Sequence, residues 1–225
     1  MRYLFLALAI ILTSVSASAE GRNGLTVGLG TLGIEGIYTR NLNSWFDLVL
    51  GFSSLNYDDT FSHGDGTSFE ASATIEAPRI GLQFFPLRFL NMEVGVVTGA
   101  PELGIKVSPD ENGNYMIGDT EYPSEGDDGI GTFVGKVSFE NDTAPYVLFG
   151  IGRNVGGGLG LSLSAGVIQY GSPTADLTNE KCNVLFNPDC GLLAIKIAEE
   201  ERDINNDLDE FELWPFLRVG LNYSF

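Results

Sequence analysis

His63 is the single histidine of the chain and stands between Ser62 and Asp65 in a glycine-containing turn. Ser, His and an acid are the parts of a nucleophilic hydrolase. The base must lie within hydrogen-bond reach of its nucleophile, and sequence neighbours rarely achieve that. A solvent-exposed loop histidine is the preferred reading, and two-histidine mechanisms are excluded. Gly28-Leu29-Gly30-Thr31-Leu32-Gly33 matches the dinucleotide pattern G-x-G-x-x-G, which requires a helix to begin there. Here Ile34 to Tyr38 continue as strand, so these glycines read as part of a wall. Asp203, Asn205, Asp207 and Asp209 alternate like the ligands of a calcium loop. Leu208, however, stands where such a loop needs Gly, and Trp214 where it needs Glu. Asp110-Glu111-Asn112-Gly113-Asn114 fits less well still, and both stretches read as solvated acidic segments. Two Cys and one His cannot build a four-ligand zinc site. No enzyme activity, cofactor or resident metal is expected.

The elements that carry these residues are constrained by composition. The 225 residues suit one domain with a sizeable core. With 12 Lys+Arg against 30 Asp+Glu, the net charge is −18, which argues against a nucleic-acid partner because such a surface repels phosphate. Hydrophobic residues at 44% and aromatics at 11% argue against disorder. The 29 glycines follow no collagen repeat and point to tight packing or strong curvature. Met1-Arg2, an apolar run from Tyr3 to Leu12 and the small residues Thr13 to Ala19 form a signal-peptide pattern with an A-x-A site. Residues 1–19 are therefore expected to be cleaved, leaving 20–225 as an exported domain. In that setting Cys182 and Cys190 are expected to form a disulfide. On the chain-entropy model so small a ring is worth about 2–3 kcal/mol.

From Leu25 onward the apolar residues alternate with period 2, as in strands with one greasy face. Phe46, Leu48, Leu50 and Phe52 oppose Asp47, Gly51 and Ser53; Leu217, Val219, Leu221, Tyr223 and Phe225 oppose Arg218, Gly220, Asn222 and Ser224. Eight segments follow this rule: 25–40, 45–57, 69–85, 91–106, 130–140, 144–154, 159–172 and 213–225. Between the apolar positions lie Gly, Ser, Thr and Asn with isolated charges. That mixture is thin for a solvated surface and suits a narrow, side-chain-filled lumen. The fold class expected is all-β: an antiparallel up-and-down transmembrane β-barrel of about eight strands, with ten as the alternative, and a short helical segment before the last strand. Glu35, Asp47, Glu70, Glu93, Lys136 and Arg218 are the expected lumen charges. Arg79 and Arg153 join the basic set and Glu76 the acidic one, paired because unpaired buried charge is costly.

The C-terminal residues Leu221-Asn222-Tyr223-Ser224-Phe225 resemble the terminal strand of bacterial outer-membrane barrels, which ends on an aromatic with apolar residues at alternate positions. The resemblance implies that Val219, Leu221, Tyr223 and Phe225 form the signal read by the barrel assembly machinery. As a whole the chain resembles small outer-membrane barrels of the OmpA/OmpW-like kind. More narrowly, Ala144-Pro145-Tyr146-Val147, Gly150-Ile151-Gly152, Gly166 and Tyr170-Gly171-Ser172-Pro173 look like an uncharacterised proteobacterial barrel family. The acidic stretch Glu199 to Phe211, Trp214-Pro215 and the terminal strand 216–225 fit its usual ending.

The resemblance implies the cell outer membrane, contact with its lipid and lipopolysaccharide, and weak divalent cations bridging acidic loops to that lipid. The function expected is a non-enzymatic envelope-structural or surface-loop role. The alternatives are a narrow OmpW-like channel for small solutes and, less favoured, a lipid-modifying enzyme using His63. Counting eight strands back from a periplasmic C-terminus puts 173–212 outside but 107–129 in the periplasm. That conflicts with the short periplasmic turns usual in such barrels, unless further strands lie inside 24–40 or 107–129.

Overall fold

The computed structural model describes residues 21–62, 68–87, 89–109, 113–117, 120–123, 133–152, 158–179, 189–208 and 211–225. In chain order the strands are β1 (Asn23–Gly30), β2 (Gly33–Asn41), β3 (Phe46–Ser62), β4 (Ser68–Phe84), β5 (Leu90–Thr98), β6 (Glu102–Ser108), β7 (Asn114–Ile117), β8 (Thr120–Pro123), β9 (Phe133–Phe139), β10 (Thr143–Ile151), β11 (Gly158–Ile168), β12 (Pro173–Asn179) and β13 (Trp214–Ser224). One helix, α1 (Asp189–Leu208), precedes β13. Eleven strands share one antiparallel sheet, and β7 and β8 form a separate pair.

Within that sheet β1-β2-β3-β4-β5-β10-β11-β13 close into an eight-stranded ring, sealed where β1 pairs β13 from Gly24↔Ser224 to Gly30↔Arg218. Ring neighbours follow chain order, so the barrel is up-and-down as expected. Period-2 alternation gives each ring strand one face inward and one outward. Val27, Leu29, Ile34, Leu50, Phe52, Ile80, Leu82, Val94, Phe149, Leu163 and Val219 are exposed on the outside. Leu159 and Leu161 are 76% and 73% exposed.

The strand count agrees with expectation, but its make-up differs. Segment 25–40 is two strands, broken at Thr31-Leu32, where Gly33 takes φ +94 and β1 folds back on β2. A side chain is strained at that φ, and a Cβ there would also run into the Ser54 backbone. Segment 91–106 is also two strands, parted at Gly99 (φ +84). Segment 130–140 lies outside the ring. Adding one ring strand before β3 and removing one after β5 reverses the expected side of the 107–129 stretch. The strands β6, β9 and β12 and the helix α1 now lie at the same barrel end, the one at which β1 turns into β2. The other end carries Asn23, Phe225 and the connections after β2, β4 and β10. There Asn23 N donates to Phe225 O (2.9 Å) and Phe225 N to Asn23 O (2.8 Å).

The extra strands continue the barrel wall. The hairpin β3–β4 runs on past the ring without a break, and Ser68–Thr74 of β4 pair with β6. Next to β6 comes β9, and next to β9 comes β12. The order β4-β6-β9-β12 therefore repeats the ring order β4-β5-β10-β11 one storey up. Each continuation is separated from its ring strand by three or four residues: 99–101, 140–142 and 169–172. Those breaks are tied together by backbone bonds, Gly99 N to Asp142 O (2.8 Å) and Asn141 N to Tyr170 O (3.0 Å). We call this half-wall the platform.

Its last strand, β12, would present an open edge. Instead α1 covers it: Asn205 Oδ1 accepts from Ala175 N (2.7 Å) and Asn205 Nδ2 donates to Ala175 O (3.1 Å). One turn earlier Glu201 Oε2 accepts from Leu177 N at 3.1 Å. An i, i+4 pair on one helix face thus serves as a surrogate strand, which protects an edge that could otherwise pair with another chain.

Candidate functional site

The lumen is where the inward-facing polar side chains converge. Its midsection is an ionic cluster built from four strands. Arg79 Nη2 on β4 donates to Glu35 Oε2 on β2 at 3.0 Å, and Arg79 Nη1 donates to Ser53 Oγ at 3.0 Å. Arg218 Nη2 on β13 donates to Glu93 Oε2 on β5 (3.2 Å) and to Ser164 Oγ (3.1 Å). Glu93 joins the two halves, because its Oε1 accepts from Tyr146 Oη at 2.7 Å and lies 3.9 Å from Arg79 Nε. All four charged side chains are buried, and the Arg79 guanidinium lies 5.1 Å from the Phe216 ring centroid. Two positive and two negative charges cancel, so neither sign is left uncompensated in a low-dielectric interior.

Toward the platform end the lumen is apolar. Leu32, Ile75, Ala77, Val97, Ala144, Leu148, Ile168, Tyr170 and Phe216 form a buried cluster with Tyr146, joined by the partly buried Leu55, Phe139 and Trp214. Leu32 reaches it from the β1–β2 turn and is fully buried. Thr31 Oγ1 fastens that turn to β13 by donating to Pro215 O (2.8 Å) and accepting from Leu217 N (3.2 Å). The Tyr170 hydroxyl donates to Gly99 O at 3.3 Å. Burial, then the Asp142 carboxylate, raise its pKa well above the ordinary phenol range. Toward the termini the lumen is polar: Thr26, Thr39, Asp47, Gln83, Asn91, Ser162, Asn222 and Ser224 are all buried there.

Inward glycines make the space for these chains. Gly51 lies opposite Arg79 in the β3–β4 register, and a Cβ at Gly51 would sit 2.9 Å from the guanidinium carbon. Gly81 and Gly95 form one cross-strand row with Tyr146, and a Cβ at Gly81 would collide with the Tyr146 hydroxyl. Gly160 faces Asn222 in the same way, and its Cβ would stand 2.8 Å from Asn222 Nδ2. Small and large residues face each other across strands, as a narrow closed barrel requires.

Of the expected lumen charges, Glu35, Asp47, Glu93 and Arg218 lie inside the ring. Asp47 Oδ1 accepts from Asn41 Nδ2 at 2.6 Å, nearer the termini than the ionic cluster. Glu70 and Lys136 do not lie there. Both sit exposed on the platform, where Glu70 meets Lys106 at 3.7 Å and Lys136 meets Glu102 at 3.6 Å. The physical reason is that β4 outruns the ring and β9 never enters it. Glu76 is exposed at the platform end of β4, while Arg79, three residues on, is in the lumen.

Val219, Leu221 and Tyr223 face outward on β13, and Phe225 stacks on Tyr223 at 6.2 Å between ring centroids. Asp203, Asn205 and Asp207 lie along α1 rather than in a loop, with Asn205 committed to the β12 edge, and Asp209 lies outside the described residues. Gly28 to Gly33 form a hairpin instead of a strand-to-helix turn. Arg153, His63, Asp65, residues 110–112, Cys182 and the side chains of Ser62 and Cys190 lie outside the described residues, as does the signal-peptide stretch 1–19.

Tyr146, Leu32 and Phe216 were not singled out as lumen residues in the sequence, whereas Ser53 already stood on the expected lumen face. The available signal was the alternation of Ala144, Tyr146 and Leu148 with the exposed Phe149 face. Their partners become visible only once register is known.

No family model matches the chain, and no curated protein matches it. Solved structures do match, among them the following two. Acinetobacter baumannii CarO aligns with a TM-score of 0.60 at 18% identity, over 92% of this chain and 100% of that one. Acinetobacter baumannii CarO2 aligns with a TM-score of 0.59 at 18% identity, over 90% and 98%. At that identity the likeness concerns the fold, and it spans the ring together with the platform.

Proposed function

We propose that the chain is a non-enzymatic outer-membrane β-barrel whose ring is a closed anchor and whose platform is the working surface. The observation that carries this reading is an apolar exterior around a filled interior. A soluble barrel would turn its greasy face inward, whereas here exposed leucines, valines, isoleucines and phenylalanines on every ring strand surround a buried salt-bridge cluster. Lipid is the solvent that fits such an exterior. No described helix is long and apolar enough to cross a membrane, so crossing would fall to the strands. The start of β1, Phe225 and the short connections at one end, with the platform strands and α1 at the other, match the usual periplasmic and surface ends.

In this reading residues 1–19 direct export, and Val219, Leu221, Tyr223 and Phe225 address the assembly machinery. Outer-leaflet lipid and lipopolysaccharide surround the belt, and weakly held divalent cations reduce repulsion between that lipid and the acidic platform. The experiment is a heat-modifiable gel shift in detergent combined with planar-bilayer recording. The shift is expected without conductance steps; protein that stays soluble without detergent would falsify the reading.

One observation favours a second reading, a narrow conduit. The terminal half of the lumen is polar, and Thr26 Oγ1, Gln83 Oε1 and Asn91 Oδ1 have no protein hydrogen-bond partner among the described residues. Water is the natural partner for such atoms. Reproducible conductance steps, or uptake of small solutes by proteoliposomes, would favour the conduit.

A further inference from the structure

We infer that the platform contains a binding site for one small, uncharged, apolar molecule, held between α1 and the sheet β6-β9-β12. A cavity of about 290 Å³ lies there, walled by Ile105, Val137 and Leu177 of the sheet and by Ile197 and Ile204 of α1. Its size falls at the lower limit of small-molecule pockets, ~300–1,000 Å³. That suits a single ring or a short acyl chain rather than a whole lipid.

The hollow has a local cause. Across the sheet, Ile105, Gly135 and Leu177 form one row. The central member has no side chain, so the floor drops between two large aliphatic residues. A Cβ at Gly135 would meet the Leu177 Cδ2 methyl at 3.1 Å and only the Ile105 carbonyl oxygen beyond, at 3.8 Å. A larger side chain is therefore accommodated if Leu177 shifts slightly.

The chemistry of the occupant follows from the polar groups around the cavity. Among its described lining residues, only Lys136 and Thr178 have polar side chains. The Lys136 ammonium is engaged with Glu102 Oε2 at 3.6 Å, and Thr178 Oγ1 donates to Val134 O at 3.3 Å. On α1, Glu201 and Asn205 are committed to the β12 backbone. Among the described lining residues no polar side chain lacks a partner, so none is set aside for a carboxylate or phosphate, and a chain of net charge −18 disfavours anions in general. A cavity lined this way stays dry and takes apolar guests.

The same chemistry has two sources, a free apolar solute or the tail of an outer-leaflet lipid. They separate in a methyl-resonance experiment on full-length protein in nanodiscs, with the isoleucine δ1 methyls labelled. In chain-deuterated lipid, added octan-1-ol is expected to shift Ile197 and Ile204 saturably and to give intermolecular NOEs. Octanoate is expected to bind on the order of tenfold more weakly. With protonated lipid and no octanol, NOEs from lipid chains to the same methyls would assign the site to a bilayer tail instead. Ile204→Trp and, independently, Gly135→Val should abolish both signals while the gel shift persists. Absence of saturable shifts and NOEs in both arms overturns the inference, as does unchanged binding in both variants. The gel shift, read on the same samples, reports barrel integrity separately from the cavity.

Discussion

Glu93 is the residue on which the lumen depends. It is fully buried and faces two arginines and a tyrosine hydroxyl at once. Replacing it by Ala leaves Arg79 with Glu35 alone and Arg218 with no carboxylate. Removing one partner of a buried pair typically costs about 3–5 kcal/mol. Glu93→Ala is therefore expected to lower the unfolding midpoint in detergent substantially, measured by the temperature of the gel shift. Gly81→Val should act on the same cluster from the neighbouring strand, because its side chain needs the volume that the Tyr146 hydroxyl occupies. Loss of the folded band, or a lowered shift temperature, checks this. Tyr170 supplies a pH dependence. Its folded pKa is raised, so its contribution is fully present below the unfolded phenol value of about 10 and is lost as pH climbs through the folded value. Tyr170→Phe should remove the part of the alkaline loss of stability that begins above about pH 10, followed by pH-dependent thermal melts.

At the scale of elements, the helix α1 and the strand β12 form one unit. Asn205 makes two bonds to Ala175 and Glu201 makes one to Leu177, so α1 covers the edge with side chains instead of a strand. Asn205→Leu is expected to expose the Ala175 amide, raise its hydrogen-exchange rate and promote self-association through the uncovered edge. Exchange mass spectrometry over 173–179 and light scattering would test both effects. A helical segment before the last strand was expected from the sequence, and α1 lies there. Its docking was not legible, because the partner is backbone, and backbone carries no sequence label. Strand existence was legible for a local reason, period 2. Strand breaks at Thr31-Leu32 and Gly99 were not: a glycine in an alternating run can mark a turn or a packing gap, and only its neighbours across the sheet decide which.

At the scale of the molecule, the ring and platform are one wall, complete below and half-open above. Closure at the β1–β13 seam leaves the ring without an edge, while the platform's outer edge depends on α1. A chain built this way should show no conductance in planar bilayers while the salt-bridge cluster and the apolar cluster remain intact. Disrupting both together, as in Arg79→Ala with Phe216→Ala, is the variant expected to admit current if the fold survives. Net charge, barrel class, greasy exterior and terminal-strand pattern were all determined by the sequence alone, because each rests on composition or on alternation within a single strand. Which glycine faces Tyr146, why Glu70 and Lys136 miss the lumen, and which barrel end bears β6 and β9 were decided only by tertiary structure. Those facts depend on register and ring closure, which arise from pairings between strands far apart in the chain.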